Sequence, residues 1–87
     1  MKKIELALAD DHTLFRKALK GMLEEYDEFK VCLEAADGQE LLDKLNKGTM
    51  CDVILMDIEM PNLSGAGAVK AIRKTFGDEP SVLALSM

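Results

Sequence analysis

Hydrophobic and polar positions switch repeatedly between the two-residue period of strands and the 3.6-residue period of helices. Lys3 to Ala9 places Ile4, Leu6 and Leu8 on one face and small Ala7 and Ala9 on the other, which predicts a strand ending at Asp10-Asp11-His12. Leu14, Phe15, Ala18, Leu19, Met22 and Leu23 follow at helical spacing and form one apolar stripe. Gly21 weakens that helix by about 1 kcal/mol relative to alanine, so packing must carry it. Lys30 to Ala36 predicts a second strand, closed by the turn pair Asp37-Gly38. Gln39 to Lys47 predicts a short helix packing Leu41, Leu42 and Leu45, with Gly48 as its C-cap.

Val53 to Met56 is apolar without alternation, as in a strand buried on both faces of a parallel sheet. It ends in Asp57. Pro61 blocks regular structure, Ser64 is a candidate N-cap, and a helix is predicted from about Gly65 to Phe76 with Val69, Ile72 and Phe76 inward. Lys70, Arg73 and Lys74 complement its dipole near the C-terminus, and Gly77 ends it. Ser81 to Ser86 is a fourth strand, again apolar through Val82-Leu83-Ala84-Leu85. The order βαβαβαβ implies an α/β, doubly wound parallel sheet with right-handed crossovers.

Eighty-seven residues, 48% of them hydrophobic and 31% charged, suit one small globular domain. No apolar run approaches the roughly 20 residues that span a bilayer, and Met1-Lys2-Lys3-Ile4 lacks the apolar core of a signal peptide. A net charge of −5 argues against nucleic-acid binding by this segment, which would need a basic footprint. Cys32 and Cys51 lack metal-ligand spacing and read as buried, reduced thiols of a cytoplasmic protein. The six methionines read as core fillers.

Asp10, Asp11 and Asp57 all fall at the carboxyl ends of predicted strands. In the strand order 2-1-3-4, strands one and three are neighbours and the strand order reverses between them, which is where such folds bind ligands. Any one of these acids alone is more readily an N-cap or a solvated loop residue than a ligand. Three at one edge repel one another unless a cation sits among them, and oxygen ligands of this kind suit Mg²⁺ completed by a phosphate. Ser86 ends the fourth strand at the same edge. It is either a turn former or a hydroxyl able to donate to a phosphoryl oxygen on Asp57. His12 reads as a surface or helix-start residue.

These residues resemble a family. Asp10-Asp11-His12 resembles the acidic pair of response-regulator receiver domains, in the branch (NarL/FixJ-like) that often carries a C-terminal DNA-binding domain. The stretch Asp57 to Gly65 resembles their phosphoacceptor loop, D-x-x-M-P-x-x-x-G, and Ala84-Leu85-Ser86 resembles the end of their fourth strand. The resemblance spans the whole chain and implies a flavodoxin-like fold and a two-component signalling role. Asp57 would accept a phosphoryl group from a phosphohistidine on a sensor histidine kinase. Mg²⁺ would be held by Asp11, Asp57 and the backbone carbonyl of Glu59, with Asp10 contacting it through water. Ser86 would sense the phosphoryl group. The parent would be a cytoplasmic transcriptional regulator that binds DNA through another domain, not a metabolic enzyme.

The expected fourth helix, fifth strand and fifth helix of that family find no match after Ser86, so residues 1–87 are expected to be the N-terminal part of a receiver domain. The lysine expected on the fifth strand has no counterpart either. The uncovered run Val82 to Leu85 then favours self-association, and a rival reading makes the segment a binding module that carries no phosphate. A dehalogenase-like phosphatase, the second rival, would need D-x-D at the third strand, where Glu59 stands instead.

Overall fold

A computed structural model describes residues 3–49, 51–57, 65–77 and 80–85. The elements run β1 (Ile4–Ala9), α1 (Thr13–Glu24), β2 (Phe29–Ala35), α2 (Gly38–Asn46), β3 (Val53–Asp57), α3 (Gly65–Phe76) and β4 (Ser81–Leu85). All strand pairs are parallel, in the order β2-β1-β3-β4. The α/β doubly wound sheet of the sequence reading is therefore present, with element bounds differing from it by a residue at most ends.

The alternation of β1 sorts the core into two layers. Ala7 and Ala9 face the side where Leu33, Ala35, Ile54 and Met56 pack against Leu41 and Leu45 of α2 and Ala68 and Ile72 of α3. Leu6, Leu8 and Val31 face the other side, under Leu19 and Leu23 of α1. Val53 and Leu55 also face α1 and are only half-buried, so β3 is sealed on one face and partly covered on the other. On β4, Val82 packs against the α2–α3 layer, whereas Leu83 is 56% exposed.

Several local features differ from the pattern-based reading. In α1 only Leu19 and Leu23 of the apolar stripe are drawn in, and Leu14, Phe15, Ala18 and Met22 lie at the surface. The helix is rotated so that Arg16, a residue the stripe leaves out, faces inward and is buried. In α3 the buried contacts come from Ala68 and Ile72, and Phe76 is exposed. Asp37 is the N-cap of α2: its carboxylate accepts from the Glu40 amide at 2.7 Å, and the Glu40 carboxylate accepts from the Ala36 amide. This is a near relative of the capping box, and Asp37-x-x-Glu40 is its readable signature.

Gly48 and Gly77 follow α2 and α3 with positive φ (100° and 79°), conformations that favour glycine. Arg73 donates to the carbonyls of Gly77 and Pro80 and thereby ties the end of α3 to the start of β4. Cys32 and Cys51 form no disulfide and are half-buried. Burial pushes both thiols up, Cys51 to about 11, which keeps them protonated and unreactive at neutral pH. The predicted N-cap Ser64 lies outside the described residues.

Candidate functional site

Parallel pairing sets the site. Ala9 lies opposite Met56, so Asp10 and Asp57 are the next residues along adjacent strands, at the edge where their carboxyl ends emerge. Both are 4% exposed. Asp11 follows on the outer side of the turn, with its side chain one-third exposed. Carboxylate oxygens of Asp10, Asp11 and Asp57 and a ring nitrogen of His12 all lie within 4.8 Å of one another. The three acids predicted to meet at this edge do meet. Glu59 and Ser86, the other two predicted site residues, lie outside the described residues.

His12 is an exposed residue at the start of α1, as its sequence suggests, and its ring also stands beside the three acids. Its Nδ1 lies 3.2 Å from Oδ1 of both Asp10 and Asp11 and 4.0 Å from Oδ2 of Asp57. The Asp10 carboxylate also accepts from the His12 amide at 2.7 Å, which folds the turn back on itself before α1 begins. A local signal existed: a histidine two residues after a buried strand-end acid is held beside it by such a turn. The imidazole is 65% exposed and makes no cap hydrogen bond, so it can leave the acids without disturbing the core.

The donor set fits a hard divalent cation. Carboxylate oxygens dominate, two of the acids are held in place by the sheet, and the third opens the site to water, which such a cation retains. Nitrogen from His12 is the less suitable ligand for Mg²⁺.

Behind the acids stands a second set of charges that the sequence reading missed. Arg16 of α1 donates through Nη1 to the Asp10 carbonyl (2.6 Å) and through Nε to Glu34 Oε1 (3.1 Å). Lys17 and Lys20 reach Glu34 Oε2 at 3.2 and 3.4 Å, and Lys44 of α2 donates to the Glu34 carbonyl. Burial acts to raise the Glu34 pKa, but the hydrogen bonds from Lys17 and Arg16, with the nearby lysine charge, outweigh it and hold the carboxyl below its ordinary 4.5. The unfolded chain therefore takes up the proton first. Glu34 stabilises the fold fully above about pH 4.5, and that contribution is lost as pH falls through its lowered folded value. Urea unfolding measured across this range should show Glu34→Gln flattening the acid side of the stability profile; an unchanged profile would contradict the assignment.

Known proteins place this geometry. The model of the response regulator receiver domain family matches residues 6–87. A protein-glutamate methylesterase/protein-glutamine glutaminase of Clostridium acetobutylicum is 40% identical over 95% of this chain and 24% of its own length. The transcriptional regulatory protein DegU of Brevibacillus brevis is 40% identical over 98% of the chain and 35% of its own length. The chain thus spans about a quarter to a third of these relatives. The solved signal receiver domain of the response regulator NarL from Mycobacterium tuberculosis superposes with a TM-score of 0.86 at 34% identity, covering 99% of this chain and 68% of that one. The matched family, the 2-1-3-4 parallel sheet and the acids at its β1/β3 edge agree: this chain belongs to the response regulator receiver domain family.

Proposed function

We propose that residues 1–87 are the N-terminal part of a receiver domain in which Asp57 accepts a phosphoryl group from a sensor histidine kinase. The observation that carries this reading is the placement of Asp57, nearly buried at the end of β3 and beside Asp10 and Asp11, in a chain of this family. An Asp57 oxygen attacks phosphorus, the P–N bond to the kinase histidine breaks, and the imidazole leaves with the electron pair. An acyl phosphate remains on Asp57. Asp11, Asp57 and the Glu59 carbonyl would hold Mg²⁺, with Asp10 acting through water, and His12 would swing out towards solvent. When bound, the metal neutralises charge on the transferring oxygens. Ser86 would donate to the phosphoryl group and pass its presence to the rest of the domain.

The output lies beyond this segment. The two relatives above carry a methylesterase name and a transcriptional-regulator name. The Asp10-Asp11-His12 start and the similarity to the transcriptional regulatory protein DegU favour a transcriptional regulator acting in the cytoplasm, with DNA bound by another domain. No described helix is long and apolar enough to cross a membrane. Incubating the full-length protein with acetyl phosphate and Mg²⁺ should add a base-labile phosphate, and a chelator should prevent it. Uptake unaffected by the chelator would contradict the proposed role of the metal.

For the segment alone, a second reading is that it self-associates, because Leu83 is exposed on the edge strand β4. Light scattering should then give a mass above the monomer that rises with concentration, and a constant monomer mass would rule this out.

A further inference from the structure

Arg16 is 9% exposed, and a charge so buried needs partners that account for it. Its partners are unequal. One is the Glu34 carboxylate, which neutralises it; the other is a main-chain carbonyl, that of Asp10, at 2.6 Å. That carbonyl belongs to the peptide unit joining Asp10 to Asp11. Because the unit is planar, gripping its oxygen sets the positions of both Cα atoms and the directions from which both carboxylates depart. The Asp10 amide on the other side donates to the Ala35 carbonyl of β2 at 3.0 Å. The turn is therefore tied to β2 on one side and to α1 on the other.

We propose that Arg16 is a positioning residue of this site: anchored by Glu34, its guanidinium holds the Asp10–Asp11 peptide and so sets where the two acids stand for Mg²⁺. This rests on the reading of those acids as metal ligands. Arginine is suited to the task because its planar fork presents separate N–H groups to two acceptors at once, whereas the single ammonium of lysine cannot hold both in this geometry. Glu34 is itself fixed by Lys17 and Lys20, so the anchor does not depend on Arg16 alone. Groups that orient metal ligands without touching the metal commonly matter for its affinity.

Charge and position make opposite demands here. A cationic Arg16 near the acids repels a divalent cation, so removing its charge would tighten Mg²⁺ binding if electrostatics alone mattered. Positioning requires weaker binding instead. Mg²⁺ titration of the full-length protein by calorimetry separates the two. Arg16→Lys, which keeps the charge, is expected to weaken binding about tenfold, and without metal it should shift the backbone amide resonances of Asp11 and His12. Arg16→Met should also weaken binding. Lys17→Met, which takes a partner from Glu34 but leaves the Asp10 carbonyl alone, should bind Mg²⁺ like the parent. Should Arg16→Met fail to fold, Glu34→Gln supplies the same test, with an expected loss of affinity smaller than that of Arg16→Lys.

Equal or tighter binding by Arg16→Lys overturns the proposal, as does a loss in Lys17→Met matching that in Arg16→Lys. A different result marks failure of the underlying site: binding by the parent that Asp11→Asn leaves unchanged, or no binding at all, would remove the metal reading and this inference with it.

Discussion

Leu41→Ala is expected to remove about 2–5 kcal/mol of folding stability, the range for deleting a large, fully buried side chain. Leu41 has no exposed surface and packs in the layer that holds Ala7, Ala9, Ile54 and Met56 of the two central strands. Alanines on β1 leave the space that a large residue from α2 must fill, so the cavity has little to collapse onto it. A domain this small has a total stability towards the low end of about 5–15 kcal/mol. The loss should therefore appear as a large fall in the urea midpoint, with much of the protein unfolded without denaturant. Leu14→Ala is the matched control. Leu14 is 87% exposed and should change stability by no more than about 0.5 kcal/mol. Similar midpoints for the two variants would contradict the assigned core.

Asp57→Asn is expected to reverse sign with Mg²⁺. Without divalent cation it should stabilise the protein, because it removes one of three carboxylates whose oxygens lie within 4.8 Å. Two unit charges at such a distance repel by about 3 kcal/mol at an effective dielectric of 20, and solvent and local donors reduce the expected gain to about 1 kcal/mol. With Mg²⁺ at a hundred times its dissociation constant, the parent should gain about 2.7 kcal/mol and the variant much less. The order of the two melting temperatures should then invert on adding Mg²⁺. An Asp57→Asn variant that is less stable than the parent without metal, and equally stabilised by it, would place the cation elsewhere.

Much of the fold was legible because the periods are clean. The apolar runs of β3 and β4 between helical segments leave little choice but a parallel sheet, and parallel strands bring Asp10, Asp11 and Asp57 to one edge. The missed charges around Glu34 and the rotation of α1 have a shared cause in β2. Leu6 pairs with Val31, yet its successor Ala7 pairs with Leu33, so Cys32 is the extra residue of a bulge. Its thiol donates to the Leu6 carbonyl.

The bulge shifts the alternation by one. Val31 faces α1, while Leu33 and Ala35 face α2 and α3. Glu34 is thereby turned towards α1 and meets Arg16, Lys17 and Lys20. No simple period predicts this, and an acid within an apolar strand was its only sequence trace. The same charges explain the rotation of α1, since the helix turns Arg16 inward to Glu34 and leaves Leu14 and Met22 outside.

The identity of the phosphoacceptor is tested most directly by locating the phosphoryl group. The full-length protein, phosphorylated with acetyl phosphate and Mg²⁺, can be treated with borohydride, which reduces an aspartyl phosphate to a stable alcohol that peptide mass spectrometry locates. The expected result is a single reduced site at position 57 in the parent and none in Asp57→Asn. Modification at Asp10, Asp11 or His12 instead, or phosphate retained at the parent's level in Asp57→Asn, would contradict the central claim.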